Sequence, residues 1–525
     1  MFLQRVQQFI LPDTLNTFIM SYYIFALLVL IILSKGLYNR YLHPLRNFPG
    51  PFWGGISDFY LVYMIASVPT YGLDLHAQYG PVVRLSPNLL SFSDPKLLPV
   101  VYHRYADKPQ FYGSWMFGHT EAMFQSLKHQ DHYAKKKLVA PCCSMTAMKQ
   151  FHETKISERV VELCECMGER AANNGSIDFS EHLRWFLSDT WSHLVYGRPL
   201  GWVKKGADIK GLIDSLTGVY GLSASAAVMP WLMPLFRHPF LRKHVWCYTN
   251  TFKNMANLYS HFDEMIDNRN ALVKKDGERL FFDGLEPSLN PNEYQYTRND
   301  LKAEIITFTA ATLDGAAAAI SPFIDNMLQH PEHFARVVAE IETADRAGKL
   351  SSPCVTYEET LELPFFMACI KETLRRDSPA QTILPRIVSS PGYDLPNGMY
   401  IPPGAHMGAS PFIIHRSAEI FGASPDCFVP SRWIIGEGRD VTEASIKRME
   451  KYGMWWGYGD RECAGKYYAV MEFQKLVVEM LRRFEIKSAV AEGEDRFLHK
   501  RWAVGMFWGQ MLSLKQKEFG EKLVH

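Results

Sequence analysis

Charge of one sign is not in excess in this sequence. Its 525 residues carry 56 Lys and Arg against 55 Asp and Glu, a net charge of +1. That balance removes any whole-molecule attraction to nucleic acid or to acidic surfaces, so nucleic-acid binding is set aside. A disulfide framework is missing too. The nine cysteines are scattered and odd in number, without the paired C-x-x-C spacing of a zinc site. The one close pair, Cys164-Glu165-Cys166, lies in a polar helical stretch and reads as ordinary thiols in a reducing compartment. Internal repeats, low-complexity tracts and Gly/Ser linkers are also absent. Length alone suggests two or three domains, yet no seam divides the chain after about residue 52.

Against this even background one segment stands out. From Leu15 to Ser34 there is no charged residue, and a helix needs about 20 apolar residues to cross a bilayer core. A cleaved signal peptide would show a shorter apolar run and a small-x-small cleavage site. Here the run ends instead at Lys35, Arg40, His43 and Arg46, and positive charge after a span places the C-terminal body in the cytosol. Then comes Phe48-Pro49-Gly50-Pro51, preceded by Tyr41-Leu42-His43-Pro44. Prolines this dense oppose helix and favour a stiff, extended path. The chain therefore divides into an anchor over residues 1–34, a proline-rich hinge over 35–51 and a globular body over 52–525.

The body reads as mainly α with small β-sheets. Val82–Leu85 and Leu89–Phe92, separated by Ser86-Pro87-Asn88, form a hairpin pattern. Helical periodicity covers Ala134–Arg170, Phe252–Val273, Arg298–Gln329 and Pro331–Ala347. Pro385–Gly404 is punctuated by Pro and Gly and predicts a small sheet. A last helix is expected from near Gly465 to Phe484.

The strongest chemical signal is Trp456-Gly457-Tyr458-Gly459-Asp460-Arg461-Glu462-Cys463-Ala464-Gly465. Glycines bracket one cysteine, a cation precedes it by two residues, and a helix starts directly after. Backbone N–H groups and the helix dipole at such a place stabilise a thiolate, which then serves as nucleophile or metal ligand. A nucleophile wants a nearby His base, and the loop has none. Gly459 and Gly465 allow close approach of something flat and large, and Arg461 suits an acidic substituent on it. These residues resemble the haem-binding loop of the cytochromes P-450, F-x-x-G-x-R-x-C-x-G, with Trp456 in place of the leading Phe. The resemblance implies Cys463 as the axial ligand of a haem b iron, Trp456 packed by the sulfur, and a P-450 fold behind an N-terminal transmembrane helix.

Three further segments extend the likeness. Glu372-Thr373-Leu374-Arg375 resembles the family's E-x-x-R, and Phe428-Val429-Pro430-Ser431-Arg432-Trp433 its F-x-P-x-R-W. By resemblance Glu372, Arg375 and Arg432 form a buried structural triad. Counting back from His330-Pro331-Glu332, Ala311-Thr312-Leu313-Asp314-Gly315-Ala316 falls on the oxygen-activating segment A-G-x-D/E-T-T. Asp314 supplies the acid, but Gly315 and Ala316 stand where the family has threonines. That alcohol helps deliver protons to dioxygen, so here Thr312, water or the substrate must replace it. By the same resemblance His132, Lys136 (Lys for the usual Arg), Arg386 and Arg461 face the haem propionates.

The implied activity is oxidation of a lipophilic small molecule, resembling the fungal microsomal enzymes of secondary metabolism. The cysteine thiolate favours O–O cleavage, and electrons come from NADPH through a membrane-bound flavoprotein reductase. The expected location is the endoplasmic reticulum membrane, single-pass, with the catalytic body cytosolic. Substrate contacts are expected at Tyr112–Phe117, Leu216–Phe240 and Thr382–Leu384. Oxygen insertion, a non-inserting oxidation prompted by Gly315 and Ala316, and a non-catalytic haem sensor or carrier are the competing readings.

Overall fold

A computed structural model describes residues 2–67, 71–115, 120–244, 260–266, 279–283, 285, 294–437, 441–491, 497–501 and 504–517. Helix α1, Phe2–Leu37, runs on as a π-turn through Tyr38–Leu42. Within its stretch Ile19–Leu42 the most apolar 18 residues have a mean hydropathy of 2.0, and none of those is covered by the rest of the chain. A candidate membrane span is thus present, as the sequence suggests. Helix persists further into the hinge than expected and stops at His43, where Pro44 first restricts the backbone. The proline segment beyond is docked on the body: Leu45 and Phe48 are buried among Val82, Leu90 and Ile401.

Strands β1 (Val82–Ser86) and β2 (Leu89–Phe92) form the expected antiparallel hairpin, buried on both faces. Arg84 of β1 holds the connector. Its backbone N–H donates to Pro49 O at 2.7 Å, and its guanidinium donates to Asn39 O at 2.8 Å. A side chain at Gly50 would put Cβ 2.2 Å from Arg84 O, so only glycine fits there.

The helical periodicity over Ala134–Arg170 resolves into two helices, α2 (His129–Val139) and α3 (Glu153–Asn174). Pro141 separates them, since it lacks the N–H a continuing helix needs. Strand β3 (Ile177–Asp178) leads into α4 (Phe179–Tyr196), every residue of which but the exposed Glu181 is buried, and α5 (Leu212–Val228) comes after it. Of the pattern Phe252–Val273 only residues 260–266 are described, helical throughout; the rest lies outside the described residues.

At the centre runs α6, Arg298–Gln329, opened by a Thr297/Asp300 capping box. It is long and apolar enough to cross a membrane but is largely buried by neighbouring helices, so it is a core helix. Trp191 of α4 stacks on Phe308 at 5.6 Å and 9°, and its indole N–H donates to Thr309 Oγ1 at 2.8 Å. Helix α7 (Pro331–Arg346) and helix α8 (Pro364–Arg376) come next. Then come β4 (Arg386–Ile387) and β5 (His406–Gly408), which complete a sheet of order β1-β2-β5-β4. Helix α9 (Lys466–Arg483) enters the core, where Phe323, Phe366 and Phe473 meet edge to face. The chain closes with β6 (Phe484–Ser488), β7 (Leu498–Arg501), β8 (Gly505–Trp508) and β9 (Met511–Gln516). Mainly helical with small sheets is the observed class.

Beneath α6 the carboxylate of Glu372 gathers the residues paired by resemblance. Arg375 forks onto both oxygens at 2.8 and 2.9 Å, and Arg432 Nε donates to Oε1 at 3.0 Å. The Trp433 indole N–H and the Val429 N–H add two more donors at 2.9 Å each. Glu372 and Arg375 are wholly buried. Removing one partner of such a network leaves buried charge uncompensated, at about 3–5 kcal/mol. Glu372→Ala is therefore expected to lower the thermal unfolding midpoint far more than Glu450→Ala, which removes only an exposed ion pair with Lys371. Equal midpoints for the two variants would contradict this account.

Candidate active site

The Cys463 loop is assembled from backbone. Gly457 and Gly459 take φ of +84° and +71°, which side-chain-bearing residues rarely adopt. A Cβ on Gly459 would also lie 2.4 Å from Tyr102 O, so its close approach is to the protein itself. Cys463 N–H donates to Trp456 O at 2.7 Å, and Gly465 N–H donates to the Cys463 sulfur. Helix α9 starts one residue later. Cys463 keeps free surface although protein encloses it enough for burial to push its pKa up, with the Gly465 N–H opposing. A thiol that is both enclosed and open faces an internal chamber. Electrostatic contacts with Cys143, which also feels Glu304 of α6, place the loop near that helix.

Cations converge beside the loop. Arg386 is buried, its guanidinium 4.9 Å from the Tyr102 ring, and it donates to Tyr112 Oη at 2.7 Å. Arg461 donates to Ser126 O at 2.6 Å and Leu127 O at 3.2 Å. Lys108 is buried as well, donates to Phe124 O at 2.6 Å and sits 4.2 Å from the Tyr112 ring centroid. Burial, with Arg386 and Arg461 beside it, pushes the Lys108 pKa well down. His132 feels Arg461, Lys108, Lys136 and Arg386 together; burial and these charges hold it at about 3. Lys136 reaches Asp460 instead, donating to its backbone oxygen at 2.5 Å. Among the described residues no carboxylate bonds to Lys108 or Arg386.

On α6 the open positions are Ala311, which is exposed, and Gly315, half-buried, where an added Cβ would meet nothing within 4 Å. They lie one turn apart and so share a face. Thr312 and Asp314 are buried on either side of that face. Asp314 Oδ1 lies 3.6 Å from Nε of Arg184 on α4. Its burial outweighs the guanidinium and pushes the carboxyl up to about 6. Arg184 also donates to Phe507 O of β8 at 2.8 Å.

The cytochrome P-450 family profile matches residues 64–507. The chain belongs to the cytochrome P-450 family. Quiannulatic acid synthase of Emericella variicolor is 30% identical over 471 residues, covering 86% of this chain and 90% of that one. Cytochrome P-450 monooxygenase gsfF of Penicillium aethiopicum is 27% identical over 482 residues, covering 87% and 93%. Among solved structures, the cytochrome P-450DA heme domain superposes with a TM-score of 0.71 at 15% identity, over 90% of this chain and 98% of that one. At that identity it supports the fold. As a P-450 the protein is a haem-iron oxidoreductase, a monooxygenase related to fungal enzymes of secondary metabolism. The residues present fit a haem: an open thiol on an internal chamber, and the buried cations Lys108 and Arg386, to which no described carboxylate is bonded.

Sequence reasoning brought Cys463, Trp456, Arg461, Arg386 and His132 to one region, named Tyr112 only as a substrate contact rather than as the partner of Arg386, and missed Lys108 and Arg184. Lys108 carries no periodic or motif signal, and Arg184 lies 130 positions before its partner. Of the expected substrate regions, Trp115 packs with Ala224 and Ala227 of α5 and with Met506 of β8, and Phe111, just before the first region, and Trp508 pack against that cluster. Residues 116–117 lie outside the described residues. After α8, Thr382 and Ile383 are buried and Leu384 is half-buried.

His415 ties the triad to the P-450 cysteine loop. Its Nδ1–H donates to Arg375 O at 3.1 Å, and Nε2 accepts from Met454 N–H at 2.8 Å, two residues before Trp456. Burial and Arg375 hold its pKa at about 3. An unfolded histidine titrates near ~6.5, so this stabilisation is full above pH ~6.5 and is lost as pH falls toward ~3. The loss relative to a non-titrating side chain is roughly 1.4 kcal/mol per pH unit below ~6.5. His415→Gln should thus gain on the wild type as urea unfolding midpoints are compared at pH 8, 6 and 5. Parallel pH profiles would show that His415 does not titrate on unfolding.

Proposed function

We propose that Cys463 is the axial ligand of a haem b, and that the chain oxidises a lipophilic secondary-metabolite intermediate with dioxygen and NADPH-derived electrons. The observation that carries this reading is the Cys463 thiol, open inside an enclosed protein, its own N–H on Trp456 O and its sulfur on Gly465 N–H. A hydrogen bond to the ligand sulfur tunes the iron's potential. Arg386, Arg461, Lys108 and His132 would receive the propionates, with Lys136 at the rim on Asp460. Trp456 would pack by the sulfur, and Gly465 would leave room beside it. The aromatic and small side chains of Phe111, Trp115, Ala224, Ala227, Met506 and Trp508 suit an apolar substrate.

In the same reading residues 1–34 anchor the protein singly in the endoplasmic reticulum membrane, residues 35–51 connect, and residues 52–525 form the cytosolic catalytic unit. A flavoprotein reductase delivers the electrons. The bound haem supplies oxygen activation; the chain supplies orientation and protons. Asp314, at about 6, holds a proton part of the time near neutrality, with Arg184 steadying the carboxylate. Its proton enters the chamber past the open side of Gly315, through water or Thr312.

Gly315 and Ala316 also favour a second outcome. Without a hydroxyl at either of these two positions, oxidation can end in desaturation, ring closure, coupling or rearrangement. Incubation with reductase, NADPH and labelled dioxygen separates the two, with extract from cells lacking the enzyme as substrate source. Gain of one labelled oxygen establishes insertion. Loss of two hydrogens without label, with no labelled hydroxylated intermediate appearing at early times or dehydrating to that product, establishes the alternative, and Gly315→Thr should then shift product toward insertion. A separate check reads the ligand itself: Cys463→Ser is expected to lose the thiolate-type spectrum of the reduced CO complex. Retention of that spectrum would overturn the assignment of Cys463.

A further inference from the structure

The corner between α6 and α7 carries a second constellation of donors that the oxidation chemistry does not use. His330 closes α6, Glu332 and His333 stand in the first turn of α7, and their donor atoms all lie within 4.8 Å of one another. Glu332 Oε1 is 3.7 Å from His330 Nδ1 and 3.8 Å from His333 Nε2. We infer that His330, Glu332 and His333 form a zinc-binding site with an open fourth position, distinct from the haem chamber.

Two imidazoles and a carboxylate suit zinc at ~2.0–2.2 Å, whereas magnesium and calcium want oxygen ligands. Donors arranged tetrahedrally at those lengths lie about 3.3 Å apart. The two carboxylate–imidazole contacts are within about half an ångström of that, and Glu332, 65% exposed, has the freedom to close that difference; the two imidazole nitrogens, within 4.8 Å of each other, close on the metal by a small turn of the partly exposed His333 ring.

The imidazoles are held by their surroundings. His330 N–H donates to Asn326 O at 3.0 Å, and its carbonyl accepts from Phe334 N–H at 3.0 Å. Its ring stacks on Phe428 at 5.4 Å and 20°. The His333 ring rests against Phe365 and Phe428 at 5.9 and 6.0 Å. Rings restrained by their neighbours lose less freedom on binding. Two terms oppose a cation. The N-terminus of α7 disfavours positive charge, which costs at most about fivefold in affinity at an exposed site. Arg336, one turn on, is spoken for: it forks onto Glu437 at 2.5 and 2.7 Å and lies over the Phe365 ring. Occupancy would pin the end of α6 to the start of α7, beside the segment whose Val429 N–H meets Glu372.

The test uses the full-length holoprotein, purified without a histidine tag and carrying Cys427→Ser, because that thiol is exposed. Titration with Zn²⁺ at pH 7.5 should show one saturable micromolar site, weakened at least tenfold in His333→Ala and in Glu332→Gln. Zinc should raise the thermal midpoint of the parent and leave that of His333→Ala unmoved. Both substituted side chains are partly or largely exposed, so the variants fold. Zinc binding that either variant leaves unchanged would overturn the site, as would no saturable binding below about 1 mM, where any affinity is weaker than ~4 kcal/mol.

Discussion

Everything near the chamber hangs on one buried carboxylate. Glu372 receives a forked guanidinium from its own helix, a second guanidinium from 60 residues on, an indole N–H and a backbone N–H. Isolated at this depth the charge would be intolerable, and each guanidinium alone equally so. Satisfied together, they convert a helix and a distant coil into one rigid piece. Arg375 then spends its remaining donors on the carbonyls of His415, Pro425 and Cys427. The network is therefore less a source of net stability than a device fixing which backbone lies beside which.

That rigidity travels in a traceable direction. Arg375 O receives His415, His415 receives Met454 N–H, and Gly457 N–H returns to Met454 O. From there the chain bends through left-handed glycines and presents Cys463. On its other flank the loop rests on Tyr102, whose hydroxyl is itself shared between Leu384 O and Ala409 N–H. Arg461, at the loop's centre, is clamped to Ser126 and Leu127 ahead of α2. The thiol is thus located by three separate parts of the fold, none adjacent to it in sequence.

How much of this is legible in the sequence depends on distance along the chain. The cysteine loop is contiguous, so its glycines, cation and helix start can be read directly, and α6 is bounded by Thr297 and Pro331. Resemblance supplies the pairing of Glu372 with Arg432, which no local pattern encodes. Lys108 is not legible, because its burial comes from Tyr112 and Phe124 folding over it rather than from any periodicity of its own. Arg184 is hidden for the opposite reason: its helix is buried on nearly every side, so it shows no broad polar face. The break at Pro141 is readable, but the long helical period on either side masks it. Gly459 reads as a site of close approach, and the neighbour that enforces it is the carbonyl of Tyr102.

The clasp between Arg84 and the connector has a mechanical meaning. Asn39, Pro49 and Gly50 are bound to a strand that is itself interior to the body, so the leading helix is not a tether but a lever welded to a sheet. A tethered globule tumbles above its attachment point and samples every aspect toward the surface below. A welded one inherits its attitude from a strand, and any tilt imposed on the lever is felt by β1 and β2, and through their pairing by β5. The attitude of the leading helix toward the body is then a property of tertiary structure, fixed when the sheet forms.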